Sequence, residues 1–460
     1  MTPRRLVVAA LALTATGAVC VLSPLTVWFA VSIVAIVWLG IRGLDGDERR
    51  WATLLIVAAI VLRVLAIGAL FVATNHDQLP FGRFFADEEY LIKRSLWLRN
   101  VTLGIPLYSF DLEYAFEPIA RTSVVYAIAF VQAIVGPAPY GLHLVSIALY
   151  VGAVLLLYRV VRVTLGRMPA LFGLAVLLFL PTLFAWSLSV LKEPPFVFVS
   201  ALSLVIASGL ARAGSWTRRA WLSIALAVLA AVLETIRDGG ALFLALGAAG
   251  GLATGFISSR RRLLAATLIA VPILLGAVLR SPEVQLRVYV AVQRAARQHW
   301  GAVSVSSGYR YRLLDDRFYA DINQVSSLEF TETMRFLVRG VVAFMTVPRP
   351  WDSRSPAATV YIPELVVWYL LVALAGVGVF SGLRRDAAMT GLLATHVVLI
   401  AAAAAFTDGN VGTLVRHRSL AVPYLAWLSG VGACELLAAA HRRLSMPPAA
   451  PLSVLRTRSA

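Results

Sequence analysis

A chain of 460 residues that is 60% apolar and only 14% charged, with a mean hydropathy of +0.81, carries too much apolar surface for one water-soluble core, so lipid must be its solvent. Its net charge of +17 would suggest nucleic acid in a soluble protein. The arginines gather instead at the ends of apolar runs, where the positive-inside rule accounts for many of them, and no nucleic-acid partner is expected. The two cysteines, Cys20 and Cys434, lie in apolar runs far apart in sequence, so neither a disulfide framework nor a thiolate metal site is indicated.

Apolar runs of roughly 17 to 24 residues fit the ~20 residues that a helix needs to cross the hydrocarbon core. They predict an all-α, polytopic integral membrane protein of about twelve spans, near 6–22, 25–41, 51–74, 141–160, 169–188, 194–210, 219–235, 240–257, 262–279, 362–381, 386–406 and 419–438. The first run reads as a span and not a signal peptide, because a second apolar run follows Ser23-Pro24 directly. Two shorter apolar stretches, 121–136 and 336–347, are read as dipping into the membrane only. On that reading Arg42 to Arg50, Arg159 to Arg167, Arg212 to Arg219, Arg260 to Arg262, Arg384-Arg385 and Arg442-Arg443 all share the side of Arg4-Arg5. Both termini are then cytoplasmic. Residues 1–50 form an N-terminal helical hairpin, 51–440 the main transmembrane domain and 441–460 a basic cytoplasmic tail.

The opposite face carries two long outer loops, about 75–140 and 280–361, with juxtamembrane helices, and several short loops. In the first long loop, Phe84-Phe85-Ala86-Asp87-Glu88-Glu89-Tyr90 sets three acids among aromatics at a membrane edge. Acids there are costly to desolvate and suggest a base or a cation site, while the plain alternative is a solvated helix start with Glu89 pairing to Lys93. Asp87, the shortest and nearest the membrane, is preferred as general base. Lys192-Glu193 sits at an outer hairpin, where Pro194-Pro195 suit the first turn of the returning helix and Glu193 complements its dipole. Lys192 is one of only two lysines. Glu234 to Gly240, including Arg237, reads chiefly as a charged turn. The second long loop holds eleven arginines against seven acids, which either reflects the tolerance of long loops to charge or calls for an anionic ligand. Within it, Pro282 to Trp300 reads as an amphipathic surface helix, with Val284, Val288, Ala291, Ala295 and Gln298 on one side. Trp351 beside Asp352 is an interface anchor or a sugar platform. Asp408 to Arg418 offers Arg416, His417 and Arg418 where a helix enters the membrane, suited to a phosphate at headgroup depth, with Gly409 and Gly412 letting backbone amides approach.

Together, the acidic motif, the Lys-Glu hairpin and the arginine-rich last outer loop resemble the GT-C superfamily of membrane glycosyltransferases, which includes protein O-mannosyltransferases and lipid A aminoarabinose transferases. The resemblance covers roughly residues 50–440. It implies sugar transfer from a polyprenyl-phosphate donor to an envelope glycan, lipid or protein acceptor on the extracytoplasmic face, with inversion. Asp87 takes the base position with Glu88 as fallback; Arg416, His417, Arg418 and Lys192 take the donor phosphate, and Glu193, Tyr90, Arg237 and Trp351 support them. Pro106, Tyr108 and 121–136 correspond to the juxtamembrane part of the first loop. A divalent metal at Asp87 and Glu88 stays open, without a histidine cluster to support it. The triple acid departs from the family pattern, as does the lack of a large soluble domain after the last span. An envelope polysaccharide polymerase or ligase, relying on outer arginine and histidine, is the alternative. A lipid or solute transporter would instead need polar groups or broken helices at the midplane, where Arg63 is the main exception to clean apolar spans.

Overall fold

The computed structural model describes residues 23–79, 81–117, 122–306, 309–349, 351 and 359–445. The span expected at 6–22, Asp352 and the tail from 446 onward lie outside the described residues. The described elements are helices, with one isolated β-bridge between Arg310 and Asn410. In chain order they are α1 (Leu25–Ile41), α2 (Gly46–Ala73), α3 (Ala86–Thr102), α4 (Ser109–Ala115), α5 (Ser123–Val135), α6 (Pro139–Thr164) and α7 (Arg167–Phe179). Then come α8 (Pro181–Leu188), α9 (Glu193–Ala211), α10 (Trp216–Ile236), α11 (Gly240–Ser258), α12 (Arg261–Val278), α13 (Pro282–Val305) and α14 (Asp316–Ala320). A 3₁₀ turn (Ile322–Ser327), α15 (Phe330–Thr346), α16 (Ile362–Arg385), α17 (Ala387–Thr407), α18 (Val411–Ser419) and α19 (Val422–Ser445) complete the chain.

Among the described residues, nine helices are long and apolar enough to cross a membrane: α2, α6, α9, α10, α11, α12, α16, α17 and α19. α1 is a shorter apolar helix of 17 residues packed along α6. The run read as one span at 169–188 is broken: α7 and α8 meet at a 60° bend. Pro181 has no N–H to continue the ladder, and Leu180 before it is extended at φ −60°, ψ 124°. Apolar length hid that break.

The bundle closes on small residues, as expected where lipid removes most of the hydrophobic drive between helices. Cβ atoms on Gly251 and Gly255 of α11 would lie 2.6 Å from the Cα atoms of Leu392 and Ala388 in α17. Cβ atoms on Gly378 and Gly432 would overlap backbone carbonyls of the facing helix where α16 meets α19. α12, which packs on α11, has no buried residue.

Contacts divide the bundle into two ends. At one, Arg159 donates to the carbonyls of Leu39 (3.0 Å) and Arg42 (2.6 Å), Arg162 pairs with Glu48 at 2.5 Å, Arg385 reaches the Leu165 carbonyl at 3.0 Å, and Arg212 pairs with Asp386. The basic segments around 42–50, 159–167, 212 and 384–385 therefore share that end. At the other, the starts of α3 and α9 meet the end of α10 and all of α18.

Arg63 is fully buried in α2. Its Nε donates to Ser187 Oγ at 2.8 Å, its Nη1 to the Ala59 carbonyl at 3.1 Å, and its guanidinium lies over Phe184 and Tyr150. It anchors the short helix α8 to α2.

The second long loop explains much of its own charge. Arg339 and Arg335 pair with Asp315, Arg312 with Asp316 and Arg317 with Glu332. Its helix α13 buries Ala296, His299 and Val303 against α17, while Val288, Ala291 and Gln298 of the expected face stay exposed. The polar His299 is the buried anchor, and the stripe it forms with Ala296 and Val303 is rotated from the one expected through Val284, Val288, Ala291, Ala295 and Gln298. The 336–347 stretch falls at the end of the amphipathic α15, which packs on α17, and the 121–136 stretch holds the 13-residue α5 (Ser123–Val135).

Candidate functional site

Three short, locally dictated features converge at the second end of the bundle. α3 starts at Ala86, and Glu88 at its third position accepts the Phe85 N–H at 3.2 Å, satisfying one of the orphan amides of a helix start. α9 starts at Glu193, with Pro194 and Pro195 in its first turn, where missing N–H groups cost nothing. α18 is capped by Asn410, whose Oδ1 accepts from Gly412 N–H at 2.8 Å and Thr413 N–H at 3.4 Å.

Asp87, 64% exposed, accepts from Arg416 Nη1 at 2.8 Å; Arg416 Nε lies 3.5 Å from Glu193, whose side chain is 4% exposed. The Arg416 guanidinium lies 5.7 Å from the centroid of the Trp186 ring, which stacks on Phe85 at 3.9 Å. Burial opposes the charge of Arg416, but Glu193 and Asp87 outweigh it and hold its pKa above the usual value. The Lys192 carbonyl accepts the Phe196 N–H at 3.1 Å, while its ammonium makes no hydrogen bond or ion pair with a described residue. Burial first, then the charge of Arg237, push its pKa down.

His417 links the cluster to the loop between α17 and α18. An arginine can only donate and a carboxylate only accept, so Nε2 accepts from Arg237, and Nδ1–H donates to Asp408 at 2.7 Å. The imidazole is held neutral: burial lowers its pKa, and the adjacent Arg237 reinforces this against the pull of Asp408. The Asp408 carbonyl takes Nδ1–H of His299 at 2.6 Å, and burial drives that histidine down to about 4. Strand-like pairing of Tyr311 N–H with the Gly409 carbonyl (3.1 Å) and of Val411 N–H with the Tyr309 carbonyl (2.9 Å) pins the second loop here.

The structure thus brings Asp87, Lys192, Glu193, Arg237, Arg416 and His417 together and leaves four expected site residues apart. Glu88 is fully buried, 3.8 Å from His143, and burial raises its pKa to about 8 despite backbone N–H donors from Val190, Phe84 and Phe85. Arg418 points away, donating to the Val347 carbonyl at 2.6 Å between the rings of Phe344 and Trp368. Tyr90 bonds Glu117 at 3.2 Å and accepts from Arg94 at 3.0 Å. Trp351 is 79% exposed. Glu89 pairs with Lys93 at 2.5 Å and with Arg83, the plain reading of that acid.

The glycines of the last loop also have structural work: the Gly412 amide is taken by Asn410, and a Cβ on Gly409 would meet Val303 at 2.6 Å. Asp87 and Glu88 face different partners and do not converge on one point. Among the described residues, no three His, Cys, Asp or Glu side chains gather as a metal site.

Sequence reading passed over Asp408, His143 and Glu364. Asp408 was in a quoted motif, but a lone histidine in an apolar run and a first-turn glutamate give no sign of what they face. Two clefts flank the cluster. One, of about 320 Å³, runs from Arg237, Asp408 and His417 down between Phe243, Leu399, Ile400 and Ala403. The other, of about 400 Å³, opens at the α7–α8 break, lined by Phe85, Thr182, Trp186, Tyr361 and Glu364 among others. No protein-family model matches the chain, and no curated protein matches it.

Proposed function

We propose that the chain is an integral membrane glycosyltransferase of GT-C type, moving a sugar from a polyprenyl-phosphate donor to an envelope acceptor with Asp87 as general base. The observation that carries this reading is the exposed Asp87 carboxylate at the edge of a cluster of three cations, Lys192, Arg237 and Arg416. The amphipathic cleft that opens at Arg237 has room for an isoprenoid chain between α11 and α17, with the lipid phosphate drawn to Arg237, which stands there beside Asp238 and Asp408. By the positive-inside rule the end rich in unpaired and paired arginines faces the cytoplasm and the site faces outward.

Asp87 removes the proton of the acceptor hydroxyl, whose oxygen attacks the anomeric carbon as the bond to the phosphate oxygen breaks. The leaving phosphate departs as an anion and needs no protonating acid, so one carboxylate suffices and the anomeric centre inverts. In the free protein Arg416 holds Asp87. An arriving phosphate competes for that guanidinium, which presents a rigid fork to such anions, and releases the base.

A polymerase or ligase relying on outer arginine and histidine would draw on Arg416 and on His417, both of whose ring nitrogens are engaged; activity that survives loss of Asp87 but not of Arg416 would favour it. The break between α7 and α8 and the buried Arg63 are the features a transporter would share, but Arg63 is packed by Ser187, Ala59, Tyr150 and Phe184 and 0% exposed. Purified protein in lipid vesicles is expected to transfer radiolabel from a polyprenyl-phosphate sugar to a membrane-extract acceptor. Absence of both donor binding and donor consumption across a panel of sugars would contradict the reading.

A further inference from the structure

We propose that the cleft at the α7–α8 break is a saccharide site that seats a pyranose ring of the acceptor, which makes the acceptor a glycan. The acceptor role rests on the glycosyltransferase reading; the saccharide site does not.

The bend after Leu180 turns α8 across the end of α16 and opens a cleft of about 400 Å³, within the roughly 300–1,000 Å³ of small-ligand sites. Aromatic rings from three separate segments, Phe85, Trp186 and Tyr361, line it. Phe85 and Trp186 stack on each other, so the flat face open to the apolar face of a pyranose is that of Tyr361. Polar groups stand at its edges. Glu364 accepts the Thr182 N–H at 2.9 Å, which leaves lone pairs for a further donor. The Trp186 indole N–H is buried without a partner, and the residue is 8% exposed.

A carboxylate with lone pairs to spare on the cleft wall fits a sugar hydroxyl, which can donate to it. A hydrocarbon chain would offer no donor to the Glu364 oxygen that Thr182 leaves free. The site is also in place for chemistry. Trp186 carries Arg416 near one face and Phe85 stacked on its ring, and Phe85 is two residues from Asp87. A ring held here presents hydroxyls toward the base, while the donor cleft lies beyond Arg237.

The test uses the full chain in lipid nanodiscs with three soluble disaccharides, chitobiose, mannobiose and lactose, read by saturation-transfer NMR, and farnesyl phosphate titrated in parallel. At least one disaccharide is expected to bind. Tyr361→Ala and Glu364→Gln should weaken it at least tenfold, Tyr361→Phe should keep it, and farnesyl phosphate should bind all three variants as it binds wild type. Glu364→Gln retains an oxygen for the Thr182 N–H, and Tyr361→Phe keeps the ring, so loss through misfolding is separated from loss of the site. Binding of no disaccharide, or equal binding by every variant, overturns the proposal. So does a phospholipid retained by wild type and lost from Tyr361→Ala in native mass spectrometry. If disaccharides bind as expected and farnesyl phosphate does not bind wild type, the donor reading fails and the saccharide site stands.

Discussion

Glu88→Gln separates the two neighbouring acids by their protons. Burial lifts Glu88 from the ordinary 4.5 to about 8, so between those values the folded chain holds a proton that the unfolded chain has released. Wild-type stability therefore falls as pH rises through that window and levels off above about 8. At about 1.36 kcal/mol per pH unit, the penalty approaches roughly 5 kcal/mol as a ceiling. By pH 6 it is only ~2 kcal/mol by the same rule. Glutamine cannot ionise and keeps an oxygen for the Phe85 N–H. The stability of Glu88→Gln relative to wild type is then expected to grow by ~3 kcal/mol between pH 6 and pH 9. Intrinsic tryptophan fluorescence melts in detergent at a series of pH values read this directly. The trend carries the inference, because any difference in fit between the two side chains offsets the whole curve equally. A gap that stays flat or narrows toward pH 9 would refute it and mean that Glu88 is ionised in the fold, paired with a cationic His143. The same variant is expected to retain sugar transfer, since a neutral, fully buried group does not serve as the base.

Arg416→Lys keeps one charge but loses the fork that spans Asp87 and reaches Glu193. Donor-phosphate affinity should fall about tenfold, with farnesyl phosphate binding as the assay. Gly378→Val drives methyls into the carbonyl of Leu428 across the α16–α19 contact; monodisperse protein should be lost in size-exclusion chromatography, whereas Gly376→Val, which meets no atom within 4 Å, should leave it intact. Pro181→Ala restores the missing N–H and lowers the cost of a continuous helix. A spin-label pair across the α7–α8 bend should broaden in distance, and transfer should drop as Trp186 shifts under Arg416.

The membrane-spanning architecture was legible because apolar length is a strong signal: α10, α11 and α17 fall within a few residues of the expected runs. The break at Pro181 was visible as a proline in the run, yet the run had the length of one span, and length outweighed it. The site was half legible. Charged residues at helix ends marked the end of the molecule where the cluster forms, but Asp87 and Arg416 are 329 positions apart, and nothing local pairs them. Helical geometry alone could have gone further. Residues two apart on a helix point about 200° from each other, so Arg416 and Arg418 could not share one phosphate, and the structure sends Arg418 to Val347. The same step of about 100° per residue separates the exposed Asp87 from the buried Glu88. His299 and Trp186 were unreadable as partners because a buried histidine or tryptophan in an apolar segment declares its role only through what it faces.

The most direct measurement compares wild type and Asp87→Asn in vesicles supplied with radiolabelled polyprenyl-phosphate sugar and an envelope acceptor. Transfer by wild type that drops at least ~10²-fold in Asp87→Asn, with donor binding retained, is the predicted result. Full transfer by Asp87→Asn would contradict the assignment of the base.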